Sequence, residues 1–500
     1  MSRRNQPSVG IIGAGPAGLT AAYWLSSRHN ITSTIFESTS QIGGISQTVN
    51  REGWRFDIGG HRFFTKVSLI DQIWREIIPE SDFLVRSRLS RILYKGNFFD
   101  YPLKPLNALR GLGFIEATKC LLSYIFTRLN PPKDQSNFET WVAARFGWRL
   151  YRIFFKTYTE KVWGIPADEI QADWAAQRIK NLDLKRAIFN AFRPQGRRGS
   201  DVVSLIESFQ YPRLGPGMMW ESCAEKLQAQ GIKISMQAAA VEIAKGVDSK
   251  YTLMLSDGSS GKFEHLVSSM PVGELVSIIR PSAPLEILQA AKSLKHRDFL
   301  SVALVVPKQD IFPDNWLYIH APEVKVGRIQ NFESWSPDMV PQKGLTCLGL
   351  EYFVNVGDEL WQMDDSDLIK FSSLELEKLG LVNRNDVLKG YVVRMPKAYP
   401  VYDEDYAPAL ALIRSWLNEN HPNIHPVGRN GLHRYNNADH SMATAVLASE
   451  NIATGQFNDV WNVNVDGEYH ETRSDKSSQI DFSVNTGRYA PKIIKNTFEE

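Results

Sequence analysis

A chain of 500 residues with 43% apolar and 22% charged side chains holds enough hydrophobic material for two or three domains with sizeable cores. A net charge of +2 excludes a nucleic-acid partner held by bulk electrostatics. Cys120, Cys223 and Cys347 lie far apart with no C-x-x-C spacing, which excludes a disulfide framework and a cysteine metal site and fits a reducing compartment.

Met1 to Pro7 is short and polar and runs straight into an apolar stretch, so no signal peptide is expected. No run reaches the ~18 apolar residues of a membrane-spanning helix. The expectation is a cytoplasmic protein. The five small or apolar residues from Ser8 to Ile12 read as a buried first strand, and Gly13, Gly15 and Gly18 then have G-x-G-x-x-G spacing at the turn into a helix. The first glycine suits a tight turn, the second lets a pyrophosphate approach the backbone, and the third lets helix and strand pack closely. The helix N-terminus offers unpaired N–H groups to phosphates. A second strand, Ser33 to Phe36, ends at Glu37, about 20 residues on, where a carboxylate can bind a ribose. Gly43-Gly44 follows. The combination resembles the extended fingerprint of FAD-binding two-dinucleotide-domain flavoproteins. It implies FAD as cofactor, with Gly13, Ala14, Gly15, Ala17, Gly18, Glu37, Ser38, Gly43 and Gly44 around it.

Further along, Gly59-Gly60-His61 suits a loop passing close to a flat ligand. Arg91 to Pro102 reads as a hairpin turning at Gly96-Asn97. From Asn107 to about Phe192 the pattern is helical, with an amphipathic stretch from Ala117 to Leu129, Pro131-Pro132 as a break, and a helix opening at Phe138. Gln237 to Asp257 reads as strand, turn and strand, and Leu266 to Pro271 returns the chain to the nucleotide domain. His296 to Tyr402 is β-rich. An alanine-rich helix runs from Ala438 through Ala448, and the chain is polar from Asp466 onward. No internal repeat is present. The fold class expected is α/β: a discontinuous Rossmann-like FAD-binding domain (about 1–90, 200–275 and 420–465), a helical insertion (100–198), an antiparallel β-sheet substrate domain (276–419) and a polar tail (466–500).

Four segments, in order, carry a narrower resemblance. Tyr158-Thr159-Glu160-Lys161-Val162-Trp163-Gly164 resembles the Tyr-Thr-x-Lys-x-Trp-Gly segment of UDP-galactopyranose mutases. Gly59-Gly60-His61-Arg62-Phe63-Phe64-Thr65 resembles that family's flavin loop, Lys295 to Phe299 its Glu-Tyr-Arg-Ser-Leu segment, and Gly428-Arg429 with Arg434-Tyr435-Asn436-Asn437 its end piece. Phe64 and Asn437 stand where the family has a histidine and an aspartate, which puts the identity of the sugar in question. The resemblance implies redox-neutral interconversion of pyranose and furanose nucleotide sugars, with reduced FAD as nucleophile and NAD(P)H as a candidate reductant. It implies service in cell-surface polysaccharide or glycoconjugate synthesis. The partner implied is a nucleotide-diphosphate sugar.

On that reading Phe155, Tyr158, Trp163 and Trp316 are candidate substrate contacts, since stacking on a base contributes ~1–3 kcal/mol. Periodicity alone favours core packing for the aromatic stripe Phe154, Phe155, Tyr158. Arg178 and Arg297 are candidate diphosphate cations, because guanidinium forks bind phosphate oxygens bidentately, and Tyr435 is a candidate hydroxyl donor. His61 is open between core packing, a flavin-loop hydrogen bond and acid–base work. Arg429 fits a cation near reduced flavin. Val241, Asn437, Ala438 and Met442 complete the expected cofactor contacts. The basic stretch from Arg178 to Arg198 reads as a solvated loop, a lid over an anionic substrate or a contact with an acidic membrane surface. A homo-oligomer is compatible with this pattern. The alternative activity is an FAD-dependent oxidase or desaturase of the protoporphyrinogen oxidase or amine oxidase type.

Overall fold

Five short strands from three regions of the chain meet in one parallel sheet. Their order is Ile424–Pro426, His265–Ser268, Val9–Ile12, Ser33–Phe36 and Lys233–Ser235. The computed structural model describes residues 6–101, 103, 105–170, 172, 207–309 and 311–463. Val9–Ile12 is buried throughout, as a parallel strand covered on both faces must be. The helix Pro16–His29 carries proline in its first turn, where no N–H is needed, and buries Ala17 to Leu25. It packs against Ala438–Thr454, whose alanines and small polar residues allow close approach. That C-terminal helix runs six residues beyond the alanine-rich stretch read from the sequence, because Val446 to Ile452 still faces the core.

A second sheet of seven strands has the order Lys389–Pro400, His296–Pro307, Leu345–Val354, Arg328–Asn331, Trp316–Ile319, Ser90–Tyr94 and Asn97–Asp100. Asp298 to Pro307 pairs with the whole of Leu345–Val354, antiparallel and almost wholly buried. The hairpin read near residues 91–102 is the far edge of this sheet. Ser90–Tyr94 joins Trp316–Ile319 in parallel, so the sheet is antiparallel everywhere except at that seam.

The helical segment packs on the large sheet: Pro105–Leu112, Phe114–Leu129, Phe138–Phe146, Trp148–Tyr151, a π-type turn at Arg152–Lys156, and Thr157–Trp163. Asn137 caps the third of these, its side chain accepting from the Thr140 N–H at 2.9 Å, a contact that stabilises by about 1 kcal/mol. A π-type turn re-aims side chains within a helix, and this one lies directly before Tyr158.

Candidate active site

The nucleotide cradle forms where the first strand ends. Gly13 has φ +102°, which a side chain tolerates poorly, and a Cβ there would lie 2.2 Å from Ser269 Oγ. A Cβ on Gly18 would lie 1.9 Å from the Gly13 carbonyl oxygen, so helix and strand touch through that hydrogen. Gly15 differs. Its backbone is extended (φ −86°, ψ −173°), and the atom nearest an added Cβ is Gly44 Cα at 3.7 Å. Neither conformation nor a protein neighbour demands glycine, so its bare backbone leaves room beside the helix N-terminus. The cap makes no side-chain hydrogen bond and the first turn holds no acid, leaving its N–H groups for an anion.

Glu37 is fixed at the end of the second strand. Its Oε2 accepts the Ala14 N–H at 2.8 Å, and its Oε1 accepts the Thr39 N–H at 2.9 Å, the Thr39 hydroxyl and the Ser38 hydroxyl. Gly43 donates its N–H to the Ala14 carbonyl at 2.9 Å, which draws Gly43-Gly44 over the cradle. These residues fit a dinucleotide: an anion pocket, a carboxylate fixed at the end of the second strand and an open backbone between them.

His61 donates from Nε2 to the carbonyls of Ile45 and Ile58, each at 2.9 Å. Burial pushes its pKa down to about 4, so the ring is neutral and ties the Gly59-Gly60 loop to the Gly43-Gly44 loop. Trp316 packs where a Cβ on Gly60 would meet its ring at 2.4 Å, with Arg62 over its face at 3.9 Å. It is a buried wall of the loop. Arg429 donates from Nε to the Asn436 carbonyl and from Nη1 to the Ala398 carbonyl, and lies over the rings of Tyr399 and Tyr435. Asn437 occupies the N-cap position of the C-terminal helix just before Ala438 without a side-chain cap hydrogen bond, and Met442 is buried with Sδ accepting from Trp74 Nε1 at 3.1 Å. Val241 is the extra residue of a bulge between Ala240 and Glu242, and is exposed.

The centre of the site is a cluster of phenols around Arg328. Its Nε bonds the Glu351 carboxylate, its strand partner, and its Nη2 donates to the Tyr399 hydroxyl at 3.1 Å. Gln330 donates to the other Glu351 oxygen at 2.6 Å. Burial works against charge on both groups, but Glu351 and the surrounding phenols hold Arg328 well above its ordinary value. Tyr399 and Tyr435 stack at 5.6 Å. Tyr158 stacks on His320 at 5.0 Å and meets Tyr318 edge-on. Burial pushes the Tyr158 phenol well above its usual range.

Lys161 explains the lysine of its segment. Its Nζ donates to the carbonyls of Ile319, Ala321 and Val326 at 3.3, 2.7 and 3.1 Å, pinning the Tyr158 helix to the loop that precedes Arg328. Burial lowers its pKa to about 8. Phe155 packs on Phe146 and Trp163 on Tyr402. Gly164, in the left-handed region at φ +68°, ends the helix directly over Arg297, whose Cζ an added Cβ would meet at 2.3 Å. Arg297 is buried; its Nη2 donates to the Phe353 carbonyl at 2.7 Å and its Nη1 lies 3.9 Å from Asp358. Arg178 and the basic stretch to Arg198 fall outside the described residues. Arg328, Glu351 and Tyr399 are absent from the sequence reading. Their signal was a charged residue inside an apolar strand, Leu350-Glu351-Tyr352.

A fold with this cradle defines an FAD-binding flavoprotein of the oxidoreductase type, and FAD is its cofactor. The sequence profile of the flavin containing amine oxidoreductases matches residues 16–453, and the chain belongs to that family. Coproporphyrinogen III oxidase of Staphylococcus aureus is 30% identical over 97 residues, 19% of this chain and 21% of that protein. An L-amino-acid oxidase of Pseudechis australis is 32% identical over 117 residues, 20% and 22% of the two chains. The chain thus matches about a fifth of the length of these relatives. Among solved structures, reduced UDP-galactopyranose mutase superposes with a TM-score of 0.80 over 93% of this chain and all of that one, at 23% identity. Cyclohexylamine oxidase of Brevibacterium oxydans gives 0.63 over 90% and 99%, at 15%. At these identities the structural likeness is one of fold.

The buried histidines make the fold acid-sensitive. Burial lowers His61, His421 and His433 to about 4 and His320 to about 3. Each binds its proton more readily unfolded, so the stability it lends is complete above the ordinary value of about 6.5 and is lost as pH falls through the folded values. Asp57, pushed up to about 7 by burial, titrates with the opposite sign and offsets one of them. The thermal midpoint should fall steadily between about pH 6.5 and about pH 4, with proton uptake on unfolding. A midpoint that stays level across that window would contradict the neutral-histidine assignment.

Proposed function

We propose that the protein is a flavin-dependent mutase interconverting the pyranose and furanose forms of a nucleotide-diphosphate sugar. The observation that carries this reading is Arg328, a charged guanidinium oriented by Glu351 among the phenols of Tyr158, Tyr399 and Tyr435. A ring contraction requires the departing diphosphate to wait beside the sugar until it can return. Fixed cations and hydroxyl donors do that work by positioning and charge.

Arg297, beneath Gly164, adds a second cation near Trp163, and Arg178 is retained from the family resemblance. Tyr158 and Trp163 offer aromatic faces for a base or sugar. Arg429, anchored by two carbonyls, places positive charge where reduced flavin would carry its negative charge. His61 holds the flavin loop in its neutral form. Reduced FAD supplies an electron-rich nucleophile, and the protein's part is orientation and electrostatics.

The oxidase reading draws on the amine oxidoreductase family and its curated relatives. One experiment separates the two. The holoprotein is reduced and given UDP-galactose, UDP-N-acetylgalactosamine or dTDP-fucose. Furanose product formed only by reduced enzyme, without stoichiometric electron consumption, is the expected result. Flavin reduction driven by an amine or porphyrinogen substrate would overturn it.

A further inference from the structure

The helix Phe114–Leu129 is apolar on both faces. Ala117, Cys120, Tyr124 and Thr127 turn inward and are buried. On the outer side Phe114, Ile115, Leu122, Phe126 and Leu129 are 86%, 70%, 61%, 70% and 81% exposed, with Leu121 and Ile125 beside them. The sequence led us to expect one apolar stripe with a polar outer face. A contiguous exposed apolar patch of this kind marks an interaction surface.

The charges around the patch select the partner. From residue 110 to 133 the cations are Arg110, Lys119, Arg128 and Lys133, all exposed, and the acid is Glu116. Glu116 is held by Arg149, Nη2 to Oε2 at 2.8 Å. The nearby Asp134 accepts from the N–H and hydroxyl of Ser136. An apolar face ringed by cations repels a second copy of itself and complements an anionic surface. At 16 residues the helix is shorter than the ~20 needed to span a bilayer, and among the described residues no helix is long and apolar enough to cross.

We propose that this helix seats the protein on an anionic lipid bilayer, lying in the interface with Phe114, Ile115, Leu122, Phe126 and Leu129 among the acyl chains and Arg110, Lys119, Arg128 and Lys133 at the headgroups. Interfacial helices bind by this sum of apolar burial and cation attraction, each cation contributing about fivefold in affinity.

The test is flotation of the full-length holoprotein with vesicles of phosphatidylcholine alone or mixed with an equal part of phosphatidylglycerol. Binding to the mixed vesicles alone, weakened by salt, is expected. The variant L122S/F126S should bind at least about tenfold more weakly, with unchanged flavin content and turnover on soluble substrate. Failure to bind the mixed vesicles, or binding that the variant leaves intact, would overturn the proposal. So would a holoprotein dimer in sedimentation equilibrium that the same variant turns into monomers, since the face would then be covered by a second copy.

Discussion

Gly15→Val is expected to give a folded protein that cannot keep its flavin. The backbone at Gly15 is extended and an added Cβ meets nothing closer than 3.7 Å, so the polypeptide itself has room for a first side-chain atom. What it fills is the space beside the uncapped helix N-terminus. The variant should purify colourless, with native circular dichroism and no uptake of added FAD. Its melting temperature should match that of the wild-type apoprotein and lie below the holoprotein, which gains about 2.7 kcal/mol at a hundredfold excess of cofactor over its dissociation constant. Gly18→Ala gives the contrast, since its Cβ would overlap the Gly13 carbonyl. That overpacking costs about 1–3 kcal/mol before any cofactor is considered. A Gly15→Val protein that retains flavin would move the pyrophosphate elsewhere.

Arg328→Ala carries the second large effect. Glu351, 1% exposed, would lose its counter-charge, and breaking a buried pair costs about 3–5 kcal/mol. On the proposed mutase reading turnover should fall by two or more orders of magnitude, because each ~1.4 kcal/mol of lost leaving-group stabilisation is tenfold in rate. Stability alone could mimic that loss. The double variant R328M/E351Q separates the two, because removing both charges restores a neutral, packed strand pair while Gln330 keeps an acceptor. We expect its melting temperature to recover and its turnover to stay low. Recovery of both would make Arg328 a structural residue.

The nucleotide cradle was legible in sequence because its contacts are local: Gly13 to Gly18 and Glu37 act within one strand–helix–strand unit, and their spacing is set by backbone geometry. The phenol cluster was not. Arg328 and Glu351 face each other across strands 23 residues apart in sequence, and Tyr399 reaches them from 71 residues beyond Arg328. Cross-strand register decides such contacts, and no periodicity within one strand encodes it. Trp316, a candidate substrate contact, packs against Gly60 and Arg62, which lie far from it in the chain. Lys161 stood in a recognisable segment, but its three carbonyl partners lie some 160 residues away.

The same parallel seam has an evolutionary consequence. The chain leaves the large sheet at Asp100, opposite Arg91, and its return is held at Glu207, whose carbonyl accepts the Arg88 N–H. Departure and re-entry therefore abut on one short stretch, like the two ends of a cassette. Closing a loop costs little more as it lengthens, so the segment can change in length between its contacts with the large sheet, which Lys161 and Gly164 make. That cassette bears Tyr158, Trp163 and the exposed helix, whereas the FAD cradle stays on the scaffold. The side chains that this segment presents can thus vary while the nucleotide cradle is inherited unchanged.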